Sequence, residues 1–264
     1  MKIITWNINS VRLRIGLVAD LVRLHNPDVL CLQETKVRDE EFPLDALKSL
    51  GFTHVHIRGE KSYNGMLVAA KFPCQREENF NVPGYSDARH LAVRFENGIL
   101  LHNLYVPAGG DIPDIEANPK YAYKLQFVDV FRKWLTKNYH ANQDLVLVGD
   151  LNIAPLEHDV WSHKQLLNVV SHTQAEIDVL QKLQREFNWI DVARHFVPEN
   201  EKLYSWWSYR NRDWSASNRG RRLDHIWVSA SLADKLQDFY IEKETRNWLQ
   251  TSDHVPVSVR LNLQ

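Results

Sequence analysis

The apolar run Asp144-Leu145-Val146-Leu147-Val148 ends in Gly149-Asp150-Leu151-Asn152. In an extended chain, residues two apart share a face, so Asp150 and Asn152 point the same way at the end of a rigid element. A carboxylate and a carboxamide held side by side can orient a water and take its proton. Asp and Asn in such a place can equally do no more than bond their own backbone in an Asx turn. Which reading holds depends on whether other segments supply partners.

Several segments offer them. Val29-Leu30-Cys31-Leu32-Gln33 reads as a short buried strand that delivers Glu34 just past its end, repeating the pattern of Asp150. A hard cation such as Mg²⁺ takes oxygen ligands, often one or two carboxylates, and keeps several waters, which suits Glu34. Asn7, at the end of the strand-like Ile3 to Ile8, is a second oxygen donor of the right kind, and Asn9 lies on the same face. Asp253-His254 stands immediately before the alternating run Val255 to Leu261. Adjacent residues entering a strand diverge, so one can face a metal while the other faces substrate. Asp224, within Leu223 to Ser229, could bond the His254 ring and stabilise its charged form beside a phosphate, or pair with Arg221 or Arg222 next door.

The stretch from Tyr204 to Arg222 interleaves Tyr204, Trp206, Trp207, Tyr209 and Trp214 with Arg210, Arg212, Arg219, Arg221 and Arg222. Only Asp213 offsets the arginines after Arg210, so a local positive surface forms in a chain whose formal net charge is −1. Guanidinium forks match phosphate oxygens and aromatic rings stack on exposed bases. The bland alternative is that the tryptophans are core and the arginines solvated. With a pI near 6.9, the chain as a whole has no attraction for polyanions, and nucleic-acid binding must come from such a patch.

These residues need elements to hold them. The spacing predicts helices over Ile15 to Leu24, around Leu44 to Leu50, over Lys120 to Tyr139 and around Ile177 to Phe187. Strands are expected at Met66 to Ala70 and in a hairpin of Leu91 to Phe95 with Ile99 to Val106, turning through Asn97-Gly98. Residues 107 to 119, rich in Pro, Gly, Asp and Asn, read as a loop of the length that is usually functional or disordered. Strand, polar end, helix, strand recurs in both halves, which fits two packed mixed sheets with outer helices.

At 264 residues and 44% hydrophobic, the chain can bury a sizeable core, and a single domain is the expectation. Cys31 and Cys74 have no metal-type spacing and are expected as free thiols of a reducing compartment. The opening Met1 to Trp6 does not read as a signal peptide, and no apolar run approaches the roughly 18 residues of a membrane helix. An intracellular, cytoplasmic monomer with no membrane partner is expected.

Taken in order, Thr5-Trp6-Asn7-Ile8-Asn9-Ser10, Leu32-Gln33-Glu34-Thr35-Lys36, Tyr63-Asn64-Gly65, Gly149-Asp150-Leu151-Asn152, Trp206-Trp207-Ser208-Tyr209-Arg210, Asn218 to Asp224 and Ser252-Asp253-His254 closely resemble the exonuclease III family of abasic-site endonucleases. The resemblance runs from residue 3 to 261. It implies a four-layer α/β sandwich, as in deoxyribonuclease I, and Mg²⁺- or Mn²⁺-dependent cleavage of phosphodiesters in double-stranded DNA at abasic sites or 3′ ends. It further implies Glu34 as principal metal ligand with Asn7 and Asp253 nearby, and Asp150 and Asn152 at the attacking water and close to the metal. His254 would pair with Asp224 at the scissile phosphate, joined there by Tyr105. Trp206 and Leu223 would line the pocket for an extruded baseless sugar, with Arg210, Arg212, Arg219, Arg221, Tyr63 and Asn64 on the DNA. Two departures bear on substrate preference: many relatives have Asn after Tyr-x-Pro where this chain has Ala108, and some eukaryotic members have Trp at Arg221. Two competing functions are a same-superfamily phosphatase of phosphoinositides or sphingolipids, and a DNA-binding module with a dead site. The second should have lost one of Glu34, Asp150, Asp224 or His254, and all four are present.

Overall fold

The computed structural model describes residues 1–210 and 213–263. Its strands are β1 (Lys2–Asn7), β2 (Val29–Gln33), β3 (His54–Arg58), β4 (Met66–Ala70), β5 (Cys74–Arg76), β6 (His90–Phe95), β7 (Leu100–Tyr105), β8 (Leu145–Asp150), β9 (Ile190–Asp191), β10 (Trp206–Trp207), β11 (Gly220–Arg221), β12 (Asp224–Val228), β13 (Leu236–Ile241) and β14 (Val257–Leu261). Its helices are α1 (Val11–His25), α2 (Leu44–Ser49), α3 (Pro119–Asn138), α4 (His163–Leu166), α5 (Gln174–Glu186), α6 (Val192–Phe196) and α7 (Trp214–Ser217).

Two six-stranded mixed sheets form, in the orders β13-β14-β1-β2-β4-β3 and β5-β6-β7-β8-β12-β9. Among the described residues the only parallel pairs, β1 with β2 and β7 with β8, are those joined through α1 and α3, because parallel neighbours need a crossover. Period-two burial explains the layers. Ile3, Val29, Cys31, Val146, Val148, Ile226 and Val259 share the core between the sheets. The alternate residues Ile4, Leu30 and Leu32 pack under α1 and α2. Leu145, Leu147 and Trp227 pack under α3 and α5 through Phe127, Phe131, Leu180 and Leu183. The result is the four-layer α/β sandwich expected from the sequence. Among the described residues no helix is long and apolar enough to cross a membrane, and Cys31 and Cys74 are buried and free.

The differences from the expected elements have local causes. α1 starts at Val11 and carries a non-helical residue at Arg14 (φ −127°), so its first turn breaks the apolar spacing that reveals the rest. It stops where Asn26 turns left-handed (φ 46°) and donates its N–H to Val22 O at 2.8 Å. α3 begins one residue earlier than expected, with Pro119 in its first turn and the Asn118 side chain accepting from Lys120 N. β14 begins only at Val257, since Pro256 has no N–H for the ladder. The strands β3 and β13 were not anticipated; both lie at sheet edges and are half-buried, without clear alternation of buried and exposed positions.

Three histidines are locked neutral inside. His90 Nδ1 accepts from Phe80 N at 2.9 Å, and its Nε2 lies 3.0 Å from His102 Nδ1. Burial pushes His90 well down, His102 down to about 3 and His225 down to about 4. Because these folded values lie below that of the unfolded chain, their contribution to stability is present above pH about 6.5 and is lost as pH falls through the acid range. Urea unfolding should therefore show stability dropping between pH 6.5 and 4. In His102→Phe the slope should shrink by up to about 1.4 kcal/mol per pH unit. An unchanged slope would show that this ring is not held neutral.

Candidate active site

The register of the second sheet lines up three site residues. Tyr105 and Asp224 both pair with Asp150, on opposite sides of β8. Gly149 permits this approach: at φ 133°, a Cβ there would lie 2.0 Å from Leu104 O. In the first sheet Asn7 pairs with Gln33 at the ends of β1 and β2, so Glu34 leaves its strand beside Asn7. Glu34 does so in a left-handed conformation (φ 52°). His254 enters just before β14, where its backbone bridges to Trp206.

Asp224 Oδ2 accepts from His254 Nδ1 at 2.8 Å and from Ser205 Oγ at 2.6 Å. Ser205 Oγ in turn accepts from the backbone N–H groups of Leu223 and Asp224, each at 3.0 Å. The other ring nitrogen, His254 Nε2, lies 3.7 Å from Asp150 Oδ2. His254 is also anchored through its backbone, its carbonyl accepting from Trp6 Nε1 at 2.9 Å. Burial opposes charge on this ring, but Asp224 and Asp150 outweigh it and lift His254 to about 10. Burial, reinforced by Asp224 and Glu34 against the pull of His254, pushes Asp150 up to about 7. The alternative of an Asp224–arginine salt bridge is not what forms. Arg222 is fully buried and binds Asp159 through two bonds of 2.8 and 2.7 Å and Asp191 through a third of 2.8 Å. It is therefore no part of a positive surface.

Asn7 Nδ2 donates to Glu34 Oε1 at 2.8 Å and to Asp150 Oδ2 at 2.9 Å, while its Oδ1 accepts from Asn9 N. Asn7 thus faces the carboxylates with its nitrogen rather than its oxygen, and ties two acids together. The second oxygen of Glu34 is paired with Lys36 Nζ at 2.7 Å; the same ammonium donates to Asn9 Oδ1. Burial raises the Glu34 carboxyl, but Lys36 and Asn7 outweigh it and hold it below its usual range. Asp253 accepts from Asn9 Nδ2 at 3.2 Å and from Trp206 Nε1 at 2.9 Å. Asn152 orients Asp150, donating its backbone N–H to Oδ1 at 2.9 Å and its side-chain Nδ2 to Oδ2 at 3.1 Å. Burial, with Glu34 adding to it, raises the Tyr105 phenol well above the usual value.

Glu34, Tyr105, Asp150, Asn152, Asp253 and His254 all line one cavity of about 640 Å³. Trp206, Leu223, Arg210, Arg219 and Arg221 line the same cavity. The Arg219 guanidinium stacks 4.7 Å above the Trp161 ring and that of Arg221 lies 5.4 Å from the Trp206 ring. Trp207, by contrast, is core, 1% exposed. Tyr63 is 69% exposed and Asn64 donates to Glu60 Oε2 at 2.9 Å; neither reaches the cavity. Arg212 lies outside the described residues.

The arrangement suits a cation. Asp150, Asp224 and His254 each offer an atom within 4.8 Å of the others, and Asp224 Oδ1 is buried with no hydrogen-bond partner among the described residues. A raised, Asp224-bound imidazole is a poor ligand for a hard ion, whereas Glu34 and Asp150 supply convergent oxygens.

Residues 4–254 match the model of the endonuclease/exonuclease/phosphatase family. The chain belongs to this family. It is 30% identical to "Exodeoxyribonuclease III" of Haemophilus influenzae, an alignment covering 97% of this chain and 98% of that protein. The structure of an AP endonuclease from Archaeoglobus fulgidus superposes with a TM-score of 0.92 at 30% identity, covering all of both chains. A 3′ phosphatase from Neisseria, bound to a product DNA hairpin, superposes with a TM-score of 0.87 at 30% identity, again over all of both chains.

Within this family member, three residues that the sequence did not mark as site residues hold the marked ones. Ser205 joins Asp224 to the backbone, and Asn9 with Lys36 joins Glu34 to Asp253. Asn9 was visible as sharing the face of Asn7; a serine beside two tryptophans carries no comparable signal. Removing the charge of Asp224 tests the dyad. In metal-free Asp224→Asn, the His254 ring should titrate about 1–3 pH units lower than in the wild type by NMR, and an unmoved midpoint would disconnect the two residues.

Proposed function

We propose that this protein is a DNA-repair nuclease that hydrolyses the phosphodiester 5′ to abasic sites in duplex DNA, leaving a 3′ hydroxyl, and also removes 3′ blocking groups and 3′ nucleotides. The observation that carries this reading is that one cavity is lined both by the Glu34–Asp150 acid pair and the His254 ring held by Asp224, and by Trp206 and Leu223 with arginines beside them. The first half suits an in-line attack on a phosphodiester. The second suits a sugar extruded from a duplex, and an abasic nucleotide is cheap to extrude because it has no stacked base. The match to an exodeoxyribonuclease, an AP endonuclease and a DNA-bound 3′ phosphatase supports DNA over the lipid head groups of other family branches.

Glu34, with Asp150 and Asp253 on the same cavity, would hold Mg²⁺, for which Mn²⁺ can substitute, while Asn7 sets the two carboxylates through its amide nitrogen; a bound divalent ion would neutralise charge growing on the phosphate. The rest falls to the chain. Asp150, oriented by Asn152 and Asn7, accepts the proton of the attacking water. Protonated His254, steadied by Asp224 at Nδ1, donates one hydrogen bond from Nε2 to a phosphate oxygen in a largely buried site where such contacts are strong. Tyr105 places its hydroxyl at the same phosphate. Arg210, Arg219 and Arg221 meet the DNA backbone. The protein acts as a single domain, as a monomer and inside the cell.

The deciding experiment uses a labelled duplex with one tetrahydrofuran site, incubated with Mg²⁺ or with EDTA. A metal-dependent nick on the 5′ side is expected; no nick, alongside turnover of an inositol phosphate, would overturn the assignment. Asp150→Asn should abolish cleavage and leave duplex binding in EDTA nearly intact, so normal cutting would mean that another group is the base. Arg210→Ala combined with Arg219→Ala should flatten the plot of log affinity against log salt by about 1–2, since each lost phosphate contact releases fewer counterions. An identical slope would place both guanidiniums off the DNA.

A further inference from the structure

Beneath the cavity lies an ion pair that the chemistry above does not use. Lys124 of α3 and Glu176 of α5 are both completely buried and are bonded to each other. Neither touches the cavity. Their remaining bonding capacity goes into the backbone of three loops. Lys124 Nζ donates to Asn152 O at 2.8 Å and to Ala108 O at 3.2 Å. Glu176 accepts the Ser171 N–H on both oxygens, at 2.9 and 2.8 Å, and also the N–H and hydroxyl of Thr173.

Two of the gripped residues lie in the left-handed region. Asn152 has φ 52°, which asparagine tolerates better than most residues, and Ser171 has φ 88°, which serine adopts rarely and keeps only when its surroundings over-determine it. The third loop rests directly on the lysine. Gly109, at φ 89°, has room for no Cβ, which would come within 2.8 Å of Lys124 Cδ. These loops carry both sides of the site. Asn152 orients Asp150, and Ala108 lies three residues past Tyr105. Ser171 Oγ accepts from Arg221 Nη1 at 2.6 Å, next to the Val170 carbonyl that accepts from the same nitrogen at 2.9 Å. One buried pair therefore connects the catalytic carboxylate to the arginine wall of the pocket.

We infer that Lys124 and Glu176 are positioning residues for catalysis, a charged clamp that holds the loops at Ala108, Asn152 and Ser171 in register so that Asp150 and Arg221 stand at fixed places around one substrate. This rests on the nuclease reading for its substrate, though not for its geometry. A buried pair is weak evidence for stability as such, since neutral replacements of similar volume are often tolerated. Misplacing a catalytic group by about 1 Å, by contrast, can lower a rate about 100-fold.

The test is the neutral double variant Lys124→Met/Glu176→Gln, which keeps an acceptor for Ser171 N and loses the grip on the Asn152 and Ala108 carbonyls. Wild type and variant are compared with Mg²⁺ on the tetrahydrofuran duplex and on bis(p-nitrophenyl) phosphate. Thermal midpoint, near-UV circular dichroism and duplex affinity in EDTA are read in parallel. The expected result is a kcat lower by about 10- to 100-fold, with affinity and midpoint close to wild type. A purely structural pair would give the reverse, a lowered midpoint with kcat per folded molecule within about twofold of wild type, and that outcome overturns the inference. Should the double variant fail to fold, Lys124→Arg decides. It keeps the charge, but its planar fork cannot reproduce the same three contacts, so kcat should fall about fivefold or more, and a wild-type kcat refutes the clamp. A wild type inert on the duplex but active on the small diester would sink the nuclease reading alone, leaving the clamp to be judged on the diester.

Discussion

Three carboxylates, Glu34, Asp150 and Asp224, meet where two β-sheets end, in a place too dry for all of them to stay charged unaided. Most of the surrounding structure answers that repulsion. His254 lies between Asp150 and Asp224 and keeps its proton because both acids face it. Asn7 places one amide nitrogen between Glu34 and Asp150, and Lys36 covers the outer oxygen of Glu34. Burial, with the two neighbouring acids adding to it, still raises the proton affinity of Asp150. Carboxylates gathered in so buried a place suit a cation and an acid that takes up a proton.

The sandwich explains why these groups can be held so closely. Each acid or amide leaves the end of a strand whose other residues are locked on both faces, one against the opposite sheet and one against helices. The strand ends therefore inherit the rigidity of the core. The loops that follow them do not, and here the fold spends polar contacts instead. Ser205 ties Asp224 to its own backbone, Asn152 ties Asp150 to the next turn, and the Lys124–Glu176 pair reaches up from the helices to hold loops in conformations they would otherwise leave. The arginine-bearing part of the lining is built differently. Tryptophan faces carry guanidiniums, an arrangement that leaves cationic edges free to meet phosphate.

The separation of arginine roles shows how finely the segment from Tyr204 to Arg222 is divided. Arg221 and Arg222 are neighbours in sequence, yet one lines the cavity and the other is sealed in a cage of Asp159 and Asp191. Trp206 and Trp207 part in the same way, one to the pocket and one to the core. For the tryptophans the reason is the alternation of the short strand β10, and for Arg222, just past β11, it is the pair of acids that encloses it; composition alone reveals neither. A tally of positive charge over this segment overstates its surface by the arginine that is buried.

The sequence by itself determined much. The strand runs ending at Asn7, Glu34, Tyr105 and Asp150, the main helices, and the ordered motifs that mark the family are all local patterns. Apolar periodicity and turn residues are read within a few residues of where they act. What only the tertiary structure decided are the pairings across sequence distance. Examples are His254 with Asp224 and Asp150 rather than Asp224 with an arginine, and Asn7 turned nitrogen-first toward two acids. So too is a lysine of α3 bonded under a loop 28 residues away. Such choices depend on which partner arrives once both sheets have closed, and on the cost of leaving any buried charge or amide unmatched. No local pattern carries that information, because it exists only when the layers are packed.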